Sequence, residues 1–111
     1  MHTPETALLV LTNLPDQTSA QELAQTLVQQ RLAACVNILG NCTSVYHWQN
    51  RLETASEVPL LIKTTVDRYA ELQRTIENLH PYELPEIIAV PLSAGLPAYL
   101  DWLHSETLNK D

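Results

Sequence analysis

The chain has 111 residues, 45% of them hydrophobic, and a formal net charge of −7. That length supports one domain with one modest core, and that composition excludes a disordered chain. The acidic balance argues against nucleic acid and against an anionic membrane as partners. No apolar run reaches transmembrane length, and Met1–Val10 lacks the charged-then-apolar pattern of a signal peptide, so the expected location is the cytoplasm.

Ala7-Leu8-Leu9-Val10-Leu11 is a continuous apolar run of strand length, which predicts a strand covered on both faces. Asn13, Pro15 and Asp16 mark a loop after it. Ser19 and Glu22 form a capping-box pattern, and Ala20, Leu23, Ala24, Leu27 and Val28 recur at helical spacing behind it. A helix over 19–31 is predicted. The stretch 33–49 favours strand in both halves, with a bulge or bend at Gly40-Asn41 and a hairpin tip at Gln49-Asn50. The return strand runs from Arg51 to Thr64, and Pro59 requires an edge or a bulge because it has no N–H for a ladder. A second helix follows, capped by Asp67 and ending at His80-Pro81, then a strand over 86–92 and a short helix over 97–105.

The order strand, helix, strand, strand, helix, strand predicts an α+β, ferredoxin-like βαββαβ sandwich, with an extra C-terminal helix suited to a subunit contact or to covering a sheet edge. All of 1–111 reads as a single domain; the tail after Leu108 reads as frayed. Fully extended, 33–49 would reach about 55 Å. A compact domain of this size has a radius of gyration of only about 13 Å. The outer hairpin, with Tyr46 and Trp48, therefore needs something beyond its own core to pack against, which predicts an oligomer.

The densest cluster of reactive side chains is His80-Pro81-Tyr82-Glu83-Leu84-Pro85-Glu86, a polar connector stiffened by two prolines between a helix and a strand. A plain helix stop at His80-Pro81 accounts for the same residues. His2, His47 and His104 are expected to face solvent. Cys35 and Cys42 are an odd number of steps apart on an extended segment, about 23 Å, which rules out a disulfide and places them on opposite faces unless a bulge intervenes. Glu57 and Lys63 share a face if the strand between them is regular, as a solvated edge or as the lining of a cleft. No phosphate-cradling glycine loop, Cys-x-x-Cys pair or nucleophile elbow is present, and no enzyme is predicted.

Several separated stretches then carry a common pattern. They are Leu32-Ala33-Ala34-Cys35-Val36-Asn37-Ile38, Ser44-Val45-Tyr46-His47-Trp48, Glu57, Leu61-Ile62-Lys63-Thr64, His80 through Ile88, and Tyr99-Leu100-Asp101-Trp102. In order and spacing, across 7–103, the chain resembles the CutA family of divalent-cation tolerance proteins. The resemblance implies a homotrimer like the PII signalling proteins, assembled through the long hairpin, with Tyr46, Trp48 and Trp102 at the interface. It implies intersubunit clefts at the positions of Trp48, Glu57, Lys63, His80, Tyr82 and Glu83. It implies no obligatory cofactor, with Cu(II) or another divalent cation as ligand, for which His80 and Cys35 are the candidate metal ligands. Two of the family's three copper-binding positions are occupied here by Thr12 and Leu79. The alternative is a PII-like sensor that holds a small anionic metabolite through Lys63.

Overall fold

The structure, a computed structural model, describes residues 6–108; His2 and the last three residues of the tail lie outside that range. The element order is β1 (Ala7–Leu14), α1 (Gln17–Gln29), β2 (Cys35–Ile38), β3 (Cys42–Trp48), β4 (Arg51–Thr65), α2 (Val66–Leu79), β5 (Ile88–Pro91) and α3 (Pro97–Glu106). The strands pair antiparallel in the order β2-β4-β1-β5, the ferredoxin-like arrangement expected from the sequence. The outer half of β4 pairs with β3 instead.

Alternation along β4 sets the layers. Val58, Leu60, Ile62 and Thr64 are buried on the helix side, while Pro59, Leu61 and Lys63 stay half-buried on the other. The core joins Leu8, Val10 and Leu14 of β1 with Leu23 and Leu27 of α1 and Leu72 and Ile76 of α2. On the opposite face α3 covers only one end, where Leu100 and Leu103 meet Ala7 and Ala34. The rest of that face presents Leu9, Leu11, Leu61, Ile88 and Val90, the last two about half exposed.

α1 starts earlier than its sequence pattern indicates. Asp16, not Ser19, is the N-cap: its carboxylate accepts the Ser19 N–H at 2.8 Å, and the Ser19 hydroxyl donates back to the Asp16 carbonyl at 3.2 Å. The C-terminus closes as a Schellman motif, with Leu32 N–H on Leu27 O (2.9 Å) and Arg31 N–H on Val28 O (3.1 Å). Arg31 takes the left-handed position at φ 61 that glycine usually fills, and Glu106 of α3 holds its guanidinium at 2.9 Å. α2 is likewise not capped by Asp67. Thr65 is its N-cap, and Asp67 lies in the first turn, where its charge complements the helix dipole.

The hairpin is where register matters most. Ile38 pairs with Leu60 and Cys42 with Glu57, so three residues on one side oppose two on the other. That is a one-residue bulge at 39–41. Pro59 faces it: its carbonyl accepts the Leu39 N–H at 3.0 Å, and the N–H it lacks would point the same way, so pairing with β1 is undisturbed. The bulge also shifts side-chain parity. Cys35 pairs with Lys63 and Cys42 with Glu57, six residues apart on β4, so both thiols share one face. At the tip, Gln49 (φ 52) and Asn50 (φ 65) form the twisted two-residue turn the hairpin needs. The longest dimension is 48 Å and the radius of gyration 14.7 Å, above that of a compact domain of this length, because the arm beyond Glu57 extends past the core.

Candidate functional site

The connector from His80 to Glu86 is held by the end of β1. The His80 ring, 8% exposed, uses both nitrogens on backbone. Nδ1 accepts the Tyr82 N–H at 3.2 Å, which fixes the proton on Nε2, and Nε2–H donates to the Asn13 carbonyl at 2.6 Å. Burial pushes the imidazole below its usual pKa, against the Asn13 carbonyl and Glu57, which favour the cation. Further along, the Asn13 side-chain amide donates to the Glu86 carboxylate at 3.5 Å. Asn13, which the sequence marked only as a loop signal, therefore ties down both ends of the connector. Its role depends on contacts across the fold, and no periodicity announces them.

Tyr82 lies between His80 and Glu57. Its ring centroid is 4.7 Å from that of His80, at 54°. Burial, reinforced by the adjacent Glu57 carboxylate, pushes its phenol up to about 12, so it stays protonated at any physiological pH. Glu57 sits where the arm leaves the core and is only 7% exposed.

Between the arm and the connector lies an open cleft of about 790 Å³. Tyr46 and Trp48 line it from β3, Glu57 from β4, and Tyr82, Glu83 and Glu86 from the connector. It thus collects four of the cleft residues expected from the sequence, with His80 clamped behind Tyr82. Lys63 does not join them. It lies six positions along β4 from Glu57, about 20 Å away, beside Cys35. Cys35 and Cys42 are free thiols, and His47 is exposed on the arm. His104, expected to face solvent, is half-buried, and its Nε2 lies 3.0 Å from the Thr6 hydroxyl. Trp102 packs against Tyr99 on the exposed side of α3, at 5.4 Å between centroids. Among the described residues no three His, Cys, Asp or Glu side chains converge as a metal-ligand set. His80 and Cys35 are not neighbours in such a set, and both His80 nitrogens are committed to backbone.

The family model described as CutA1 divalent ion tolerance protein matches residues 8–106. The chain belongs to the CutA family. It is 43% identical over 99 residues to the divalent-cation tolerance protein CutA of Thermus thermophilus, which spans 89% of this chain and 96% of that one. Among solved structures, CutA from Xylella fastidiosa superposes with a TM-score of 0.89 at 44% identity, covering 92% of this chain and 98% of its own. A CutA from Archaeoglobus fulgidus, described as a periplasmic divalent cation tolerance protein, gives 0.89 at 30% identity, covering 92% and 99%. Among the described residues of this CutA protein, no helix is long and apolar enough to cross a membrane.

Proposed function

We propose that this CutA-family chain serves divalent-cation tolerance as a cytoplasmic homotrimer that binds rather than catalyses, with the cleft beside the connector as its cation-accepting surface. One observation carries the reading: Glu57, Glu83 and Glu86 line a single cleft that no Lys or Arg enters. A cleft lined by one sign of charge concentrates the opposite ion. The alternative of an anionic metabolite relied on Lys63, which stands about 20 Å from Glu57 along β4.

A copper site built on His80 and Cys35 within one chain does not fit these residues, because the imidazole has no free nitrogen and the thiol lies beside Lys63. A divalent ion in the cleft would meet carboxylate oxygens, which suit harder ions, with groups from neighbouring subunits completing its shell. Trimerisation is supported by the arm that outruns its own core and by the apolar sheet face left open by α3. The free thiols of Cys35 and Cys42 agree with a reducing compartment. Binding without turnover is supported by Tyr82, protonated throughout the physiological range, and by His80, whose nitrogens are both engaged.

Titration calorimetry of the metal-stripped protein with Mn(II) and Cu(II) tests the cleft. Saturable binding weakened in Glu83→Gln and kept in His80→Gln is expected; binding lost only in His80→Gln overturns the carboxylate assignment. Light scattering at micromolar concentration should return three chain masses, and a monomer mass would sink the trimer.

A further inference from the structure

The cleft has properties that a point charge does not use. Its carboxylates are spread out, with Glu57 at the base of the arm and Glu83 and Glu86 on the connector, and they do not converge on one centre. Its walls are aromatic, with Tyr46 and Trp48 on one side and Tyr82 on the other. No Lys or Arg lines it, so the chain offers no cation of its own to these rings and carboxylates. Glu57 is more than nine-tenths buried, and neither ion pair among the described residues involves it. Its neighbour is the Tyr82 hydroxyl, a neutral group. A carboxylate in that position is poorly solvated and lacks a counter-charge, which raises its affinity for an incoming cation. The cleft is also long. Cys42, opposite Glu57, and Trp48 are six positions apart on β3, about 20 Å along the strand.

We propose that this cleft binds a linear organic polycation, an alkyl diamine or polyamine. One ammonium group sits on Glu57 and another on Glu83, and the methylene chain runs along Tyr46 and Trp48. Alkylammonium groups are protonated at neutral pH, with pKa values near those of lysine at about 10. Aromatic faces attract them, and carboxylates accept their N–H groups in charge-assisted hydrogen bonds. An apolar chain with charges at intervals matches an aromatic groove with carboxylates at intervals; a divalent metal, which needs its oxygens around one point, does not. The assignment rests on the cleft being a cation site, but it names a different chemical class of occupant.

Titration calorimetry of the full chain in its native assembly, at low ionic strength, decides it. Spermidine, 1,4-diaminobutane and 1-butylamine are the organic probes, with Mn(II) and Cu(II) beside them. Saturable binding of one diamine per chain is expected, tighter than butylamine by about ten-fold, the value of one charge-assisted contact. Glu83 is exposed, so Glu83→Gln keeps the fold, and it should weaken diamine binding by about ten-fold. Trp48→Leu should weaken it by about five-fold, and Trp48→Tyr, which keeps a ring, should restore most of that. Glu22→Gln with Glu77→Gln, on exposed helix positions away from the cleft, should change nothing. No saturable diamine binding, equal affinity for butylamine, or equal weakening by the Glu22 and Glu77 changes would overturn the proposal; the last outcome means condensation on the acidic surface. Diamine binding without metal binding upholds it and removes the metal reading. Metal binding without diamine binding overturns this proposal alone.

Discussion

Thr12 and Thr64 form a matched pair from which opposite responses to the same substitution are expected. Both are fully buried on the helix side of the sheet. The Thr64 hydroxyl donates to the Leu32 carbonyl at 2.7 Å. The Thr12 hydroxyl, flanked by Val10 and Leu14 and opposite Leu60, has no hydrogen-bond partner among the described residues. Valine has the shape of threonine with a methyl in place of the hydroxyl. At Thr12 the change removes a buried orphan worth roughly 1–3 kcal/mol and adds apolar burial of about 0.8 kcal/mol. Allowing for partial relaxation, Thr12→Val should stabilise by about 1–2 kcal/mol. At Thr64 the change strands the Leu32 carbonyl and should destabilise by about 1–2 kcal/mol. Urea unfolding at one fixed protein concentration is the assay, because an oligomer's midpoint moves with concentration. The midpoint should rise for Thr12→Val and fall for Thr64→Val with unchanged m, at roughly 1–3 kcal/mol per molar urea. A drop in stability for Thr12→Val would refute the reasoning, because it would mean that the hydroxyl has a partner in solution.

Three further outcomes follow from the caps and the connector. His80 has a folded pKa below its unfolded value of about 6.5, so the unfolded chain takes the proton first. Stability should therefore fall as pH drops below about 6.5 and level off below the folded pKa, and His80→Gln should flatten that slope; an unchanged slope would remove His80 as its source. Protonation would also turn Nδ1 into a donor facing the Tyr82 N–H, so amide exchange at Tyr82 should rise over the same range. Replacing the charged neighbour of Tyr82 by Glu57→Gln should bring its phenol down from about 12, read as the difference in alkaline absorbance between otherwise identical proteins with Tyr82 and with Tyr82→Phe. At the end of α1, Arg31→Gly removes a left-handed non-glycine residue and a half-exposed ion pair together. Its stability should lie about 1 kcal/mol above Arg31→Ala, which loses the ion pair and keeps the backbone penalty; equal stabilities would mean the φ of 61 carries no strain.

Much of this fold is written locally. Apolar runs gave β1 and the inner half of β4, helical spacing gave α1 and α2, and Gln49-Asn50 fell at the tip. What the sequence hid was set by single residues acting at a distance. Asp16 competed with Ser19 for the cap and won because its carboxylate reaches the Ser19 N–H. Counting steps from Cys35 to Cys42 puts them on opposite faces, yet one extra residue at the bulge reverses that parity, and the sequence only hinted at it through Gly40-Asn41. In the site, the dense heptapeptide announced Tyr82 and Glu83, and the family pattern announced Trp48 and Glu57. Neither could reveal that His80 spends both nitrogens on backbone, because its partners are the Asn13 carbonyl and a peptide two residues on. Lys63 shares a face with Glu57 as the spacing suggested, but distance along the strand keeps it out of the cleft.

β4 belongs to two mechanical regimes at once. From Val58 to Thr65 it lies beside β1, with β2 on its other side over Leu60–Lys63, above a filled core; from Arg51 to Glu57 it has β3 alone and no core beneath it. Pro59 and the facing bulge mark the seam. In an isolated chain, opening of the arm should therefore cost far less free energy than opening of the inner ladder, and hydrogen exchange would divide a single uninterrupted strand into a fast half and a slow half. Whatever packs against the arm would appear in that experiment as a slowing of the fast half alone, so β4 reports its own docking residue by residue.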